Sequence, residues 1–221
     1  MFQAASRFTS FGLVALVCVA SLTSCKTIYY DTMEAFGQHK RDLLVGRVID
    51  ARDDQEEAKE QFKTALERFS ELVEVPDSDL RRTYDQLNRE LERSERQAGV
   101  VRDKIDSIET VGRDLFSEWE GELGQYSSEE LRRSSRETME RTRRHYDQLL
   151  TAMRRPETKM ESVLVSFRDH VLFLKHNLNA QAVASLQGTV DSLEIDTARL
   201  IAEMEAAIAE ADSFIQSMKS A

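Results

Sequence analysis

The chain has 221 residues, 40 of them acidic and 30 basic, and a formal charge of −10 at pH 7. This charge argues against a general nucleic-acid-binding protein, which needs a net basic surface. Eight Gly and two Pro are too few to separate the many short strands of a β-sandwich or barrel, whereas 41% hydrophobic residues are enough for a buried core.

The N-terminus has the pattern of a bacterial lipoprotein signal peptide. Arg7 precedes an apolar stretch over residues 11–20, which is too short to span a bilayer. Leu22-Thr23-Ser24-Cys25 follows and resembles a lipobox, in which the chain is cut between Ser24 and Cys25 and the thiol takes acyl chains such as palmitate. We therefore expect a lipid anchor on Cys25; an ordinary secretory signal or an uncleaved anchor is the alternative.

The same pattern divides the chain into a signal peptide (1–24), a lipidated tether (25–30) and one helical domain (31–221). With residue 18 removed and residue 25 acylated, no thiol would remain for catalysis or metal binding. Two or three acyl chains give stable membrane attachment. Lys26 follows the lipidated position. In the sorting rule of enteric-type lipoproteins Asp at that position favours inner-membrane retention, so the resemblance implies the periplasmic face of the outer membrane of a Gram-negative bacterium.

The first two helices are predicted over 31–73 and 79–123. Asp31 and Glu34 form a capping box for the first, and Pro76 stops it. Apolar or small residues follow at four–three spacing, which predicts one buried face. The first face comprises Leu44, Val48, Ala51, Gln55, Ala58, Phe62, Ala65, Phe69 and Leu72. The second comprises Leu80, Tyr84, Leu87, Leu91, Ser94, Ala98, Val101, Ile105, Ile108, Gly112, Leu115 and Trp119.

Two further helices are predicted over 128–177 and 181–218, and Pro156 should kink or break the first of them. The third face comprises Leu131, Met139, Tyr146, Leu149, Met153, Met160, Phe167, Val171, Leu174 and Leu178. The fourth comprises Val183, Leu186, Val190, Leu193, Leu200, Met204, Ile208, Ala211, Ile215 and Met218. Short connections make neighbouring helices antiparallel. The fold class is therefore all-α, an elongated antiparallel bundle or coiled coil of about four long helices.

Residues that carry chemistry are sparse. The four His, at positions 39, 145, 170 and 176, lack metal-ligand spacing, and no nucleotide-binding or nucleophile motif occurs. We therefore predict no enzyme, no cofactor and no metal.

A basic cluster, His39-Lys40-Arg41, lies a dozen or so residues from the proposed anchor. If the helix ended at Gly37, the cluster could fold back onto membrane phosphates. If the helix continued, it would lift the cluster roughly 15 Å from the helix start, where a protein or cell-wall partner could meet it. The capping box and the apolar spacing favour continuity.

A second basic stretch contains Arg132, Arg133, Arg136, Arg141, Arg143 and Arg144. Three i,i+4 pairs, Glu129–Arg133, Glu137–Arg141 and Glu140–Arg144, predict ion pairs within the helix. Packing against acidic segments of neighbouring helices would neutralise the remaining positive charge of this stretch. A stripe that binds an anionic ligand is the alternative.

Three stretches resemble a known family: 37–48 (GQHKRDLLVGRV), 174–180 (LKHNLNA) and a C-terminal part over 191–211. The family is a group of Gram-negative lipoproteins, domain of unknown function 2959. The resemblance implies a helical envelope lipoprotein and supplies no catalytic residues.

The expected function is that of a non-enzymatic binding, scaffolding or spacer protein of the cell envelope. The membrane, through the N-terminal lipid, and an envelope protein or the cell wall are the expected partners, and nucleic acid is not. The alternative is a ligand-binding or catalytic bundle with a site in its core. A buried cluster of charged or His side chains would favour that alternative.

Overall fold

The computed structural model describes residues 24–71 and 80–219, except for the side chains of 24–39 and of a few residues early in the last helix. Four long helices make up these ranges: α1 Ser24–Glu71, α2 Leu80–Glu122, α3 Glu129–His176 and α4 Ala180–Lys219. A short 3-10 turn, Leu123–Gln125, ends α2. No strand occurs in the described ranges, so the predicted all-α bundle is confirmed.

The helices are arranged in a ring. α1 packs against α2 and α4, and α3 packs against the same two neighbours from the opposite corner. Side-chain contacts show the antiparallel direction: Lys40 meets Glu118, whereas Gln61, farther along α1, meets Glu90. The short connections leave no other direction open to neighbouring helices.

The core follows the predicted faces closely. Every described residue of the α1 face is buried, and on α2 Leu91 and Ile105 are 8% and 0% exposed. Aromatic rings fill the middle of the ring of helices, because Phe167 of α3 stacks on Phe62 and tilts against Phe69 of α1. Leu72 and Pro76 lie outside the described residues.

The start of α1 was predicted too late. The helix begins at Ser24 rather than at Asp31, and it passes through Gly37 without a break. Neither Gly nor Pro occurs in residues 24–36, so nothing in that stretch stops a helix that the bundle has already nucleated. One internal Gly costs only about 1 kcal/mol. The expectation of a continuous α1 is thus confirmed.

A kink or a break at Pro156 was also expected, and α3 is not broken there. Proline removes one backbone donor, but Pro156 is itself buried in the core, and this packing offsets the loss. Gln55 of α1 reaches across to the same region, where its Nε2 donates to the carbonyl of Met153 at 3.5 Å.

The remaining differences concern single positions. Leu131 was predicted to be buried and is 59% exposed, whereas Phe116 and Phe214, absent from the predicted faces, are buried. Ile208 is only half-buried because α4 turns Ala207 inward instead. On α2 and α4 these differences follow from helix geometry, because a straight helix has 3.6 residues per turn and its buried face drifts from a strict seven-residue repeat. None of the described helices is long and apolar enough to cross a membrane.

Candidate functional site at the N-terminal end of the bundle

Within the described residues, the bundle has four helices along most of its length and three at one end. Arg52 meets Asp212 at 2.9 Å and Ser70 meets Glu194 at 3.1 Å, which fixes the register of α1 against α4. By this register the end of α4 at Lys219 lies near Val45 of α1. We call the section beyond it the three-helix end: residues 24–44 of α1, the last turns of α2 and residues 129–142 of α3. The rest is the four-helix body.

The predicted basic cluster lies in the three-helix end, and its Lys40 is turned toward the protein. The Nζ atom of Lys40 is 3.0 Å from Oε2 of Glu118 on α2, and the two side chains are 30% and 18% exposed. Glu122 lies one turn farther along α2. Partial burial, followed by the negative charge of Glu118, raises the pKa of Glu122, and Lys40 opposes this shift.

Arg41 is also bound within the protein. Its guanidinium lies over the ring of Trp119, 5.9 Å from the centroid, and Nε1 of Trp119 donates to Oγ of Ser135 on α3 at 2.9 Å. The three helices are therefore joined by one chain of polar contacts where the described part of α4 has ended. The sequence assigned Trp119 to the core; the structure packs its half-buried ring against the core and also makes it part of a polar cap.

The other predicted site residues have no described side chains. Ser24 and Cys25 occupy the first two positions of α1, and His39 lies one residue before Lys40. The side-chain environment of these three residues lies outside the described part of the chain.

A buried tyrosine marks the boundary between the two sections. The ring of Tyr146 lies directly on Gly112, where any Cβ atom would overlap it. Its hydroxyl donates to the carbonyls of Ile108 and Glu109 at 3.4 and 3.3 Å. Burial, helped by the nearby charge of Glu109, raises the pKa of Tyr146 to about 12.

The arginine stretch of α3 differs from its prediction. None of the three predicted i,i+4 pairs closes to 4.0 Å; Arg132 pairs with Glu129 at 2.8 Å and Arg143 with Glu120 at 3.6 Å. Arg143 also lies over Phe116, 5.0 Å from the ring centroid. The acidic segments of α1 and α4 do not cover this stretch, because the antiparallel register places them farther along the bundle. Arg133, Arg136 and Arg144 have no described carboxylate within 4.0 Å.

The connection between α2 and α3 forms the tip of this end. We define the tip as residues 123–131. Its first six residues carry no charge, in a chain that is 32% charged. Tyr126 and Leu131 are 37% and 59% exposed. The tip is held in place from α3, because Ser128 caps the helix through the Leu131 amide and Arg132 donates to the Tyr126 carbonyl at 3.0 Å.

The described core contains few polar side chains that could take part in catalysis or ligand binding. Its buried polar residues are Gln55, Lys59, Thr83, Ser94, Thr142 and Thr197. None is a histidine or a carboxylate, and Lys59 pairs with Glu56 at 2.7 Å. Within the described ranges no three His, Cys, Asp or Glu side chains come together in a group that could hold a metal ion.

Fold and site together define an antiparallel four-helix bundle whose polar cap joins three helices at the end where α1 begins. The sequence profile described as "Protein of unknown function (DUF2959)" matches residues 29–218. The chain belongs to this family. Comparison with curated proteins and with solved structures gave no significant match.

Proposed function

We propose that this protein is an outer-membrane lipoprotein whose helical bundle faces the periplasm and acts as a non-enzymatic binding, scaffolding or spacer element of the cell envelope. The continuity of α1 carries the proposal. A single helix starts beside the proposed lipidation site and runs to Glu71, a length of about 72 Å. A lipid on Cys25 would thus hold the whole bundle by one end.

The distribution of polar groups supports a structural rather than a catalytic role. The described core is mostly apolar, and its few polar residues are amides, hydroxyls and one lysine that is paired with a carboxylate. General acid–base chemistry needs titratable side chains gathered around a reacting group. In the described ranges such side chains lie mainly on the outer surface, in ion pairs such as Arg154 with Asp106 at 2.6 Å.

The anchor is tested by metabolic labelling with a fatty-acid analogue. Cys25→Ser should abolish labelling, because only the sulfur at this position can form the thioether. Cys18→Ser is the matched control and should keep the label, because residue 18 leaves with the signal peptide. Equal labelling of the wild type and Cys25→Ser would refute the anchor.

The choice of membrane is tested by Lys26→Asp. If the sorting rule of enteric-type lipoproteins applies, density-gradient fractionation should find the wild type with the outer membrane and the variant with the inner membrane. Identical fractionation of the two proteins would contradict outer-membrane sorting through this position.

The scaffold role is tested by photo-crosslinking in intact cells from the two ends of the bundle. Glu130 at the tip and Asp191 near the opposite end are both exposed. They lie roughly 60 Å apart along the axis. A spacer or scaffold should give different crosslinked envelope components from the two positions. The core-site alternative predicts instead that replacing buried Gln55 with Leu removes an interaction while the surface crosslinks persist.

A further inference from the structure

We propose that the tip, residues 123–131, rests on the phospholipid surface that holds the lipid anchor and forms a second membrane contact through Tyr126 and Leu131. The inference rests on the anchor proposed above. It differs from the sequence-based expectation, which assigned membrane contact to the basic cluster at His39, Lys40 and Arg41.

The basic cluster is occupied within the protein. Lys40 is paired with Glu118, and Arg41 covers the ring of Trp119. A membrane contact by either side chain would have to break an interaction that joins α1 to α2. The tip side chains can contact a membrane without breaking such an interaction, because Tyr126 and Leu131 are exposed and are not part of the buried core.

The helix register places the tip close to the membrane. From Lys40 back to Cys25, α1 descends 15 residues, or about 22 Å. From Glu118, opposite Lys40, the chain descends about 12 Å to Tyr126. The tip therefore lies only about 10 Å above the lipidated residue, whereas each headgroup layer is about 5–7 Å thick. The anchor attaches the bundle to the membrane only through α1. A small tilt of the bundle axis away from the membrane normal therefore brings the tip into the headgroup layer.

The chemistry of the tip suits a lipid interface. Tyrosine is enriched at the headgroup level because its ring is apolar and its hydroxyl can remain hydrated. The connection over residues 123–128 carries no charge, and the exposed Glu129 and Glu130 separate it from Leu131. The nearby charges nearly cancel: Glu129 pairs with Arg132, and the exposed Glu130 and Glu137 offset Arg133 and Arg136. The contact should therefore depend on apolar and aromatic groups and not on anionic lipid.

Two exposed side chains would bind a membrane weakly on their own. The anchor changes this, because a tethered second contact is intramolecular and has a high effective concentration. The tip contact thus orients the bundle on the surface rather than recruiting it.

The test uses the full-length lipidated protein reconstituted into phosphatidylethanolamine–phosphatidylglycerol vesicles. Gln125→Cys places an environment-sensitive fluorophore at the tip, and Ser192→Cys places one near the far end as a control. The tip probe should shift to shorter wavelengths and be quenched by lipids that carry a headgroup quencher, while the control probe is unaffected. The tip signal should persist at about 0.5 M salt, where charge interactions are screened.

Tyr126→Ser combined with Leu131→Ser should abolish the tip signal. The matched control, Leu172→Ser with Ile195→Ser, removes two side chains that are 54% and 53% exposed far from the tip, and it should leave the signal intact. Flotation with the vesicles and the mass of the N-terminal peptide report the anchor separately. An anchored protein whose tip probe behaves like the control overturns the tip contact alone, whereas a missing lipid refutes the anchor and the tip contact with it.

Two further outcomes would also overturn the inference. One is a tip signal that disappears in high salt, which would show a contact made by charge. The other is a tip signal that appears only when purified cell-wall material replaces the vesicles, which would assign the tip to a different partner.

Discussion

The four-helix body and the three-helix end differ in the side chains that close the space between their helices. In the body, rings such as Phe62, Phe69 and Phe167 meet across the centre and are almost fully buried. At the three-helix end the described part of α4 no longer contributes, and Arg41, Trp119 and Ser135 close the core with polar groups instead. The comparison shows that one helix face can change from apolar packing to polar capping where the described part of a neighbouring helix ends.

The largest expected effect tests the body. Phe167→Ala should destabilise the protein by about 3–5 kcal/mol, because it removes a ring from a packed centre and leaves a cavity. Urea unfolding measures this, with Phe173→Ala as the control on the same helix, since Phe173 is 40% exposed. Similar urea midpoints for the two variants would mean that the aromatic centre does not stabilise the body.

The boundary between the two sections is tested at Gly112. Gly112→Ala should cost about 1–3 kcal/mol by overpacking against Tyr146, although alanine favours a helix. Gly99→Ala is the control: a Cβ atom there meets nothing within 4 Å, so this change should be neutral or stabilising by up to about 1 kcal/mol. If Gly112→Ala is as stable as its control, the close approach of Tyr146 is not required.

The polar cap should contribute less than the body. The double substitution Lys40→Ala, Arg41→Ala should cost on the order of 1 kcal/mol, the usual range for partly exposed ion pairs and cation–π contacts. The matched control, Arg89→Ala with Arg155→Ala, removes two exposed arginines that have no described carboxylate within 4.0 Å and should have a smaller effect.

The same cap variant also bears on the membrane. Without the lipid, the double variant should bind anionic vesicles no differently from the wild type, because both side chains are engaged within the protein. A salt-sensitive loss of vesicle binding in the variant would restore the basic cluster as a membrane contact.

The smallest expected effect is a pH dependence at Glu122. Its pKa is raised above the ordinary value of 4.5, so folding favours the protonated form. Its contribution to stability is therefore present below pH 4.5 and is lost as the pH rises through the raised pKa. Glu122→Gln should be relatively more stable than the wild type near neutral pH, and this advantage should vanish in acid. An advantage that grows as the pH falls would reverse the sign of the shift.

The sequence by itself determined the number of helices, most of their boundaries and most of the core. The four–three spacing is enough to identify a buried face because apolar side chains must leave water together. The short connections, such as residues 177–179, then impose antiparallel neighbours. Likewise, the continuity of α1 through Gly37 could be predicted from helix propensity, because one glycine costs little free energy in a long helix.

Only the tertiary structure decided which section of α1 packs against the described part of α4. The sequence repeat places Leu131 on a buried face, yet burial requires a neighbour, and Leu131 is 59% exposed. The repeat also places Trp119 on a buried face, and its ring is only half-buried against the core. For the same reason Lys40 and Arg41 looked available for a membrane, although Glu118 and Trp119 of α2 lie opposite them. The order of residues along one helix sets which side chains share a face, but contacts between helices set what that face meets.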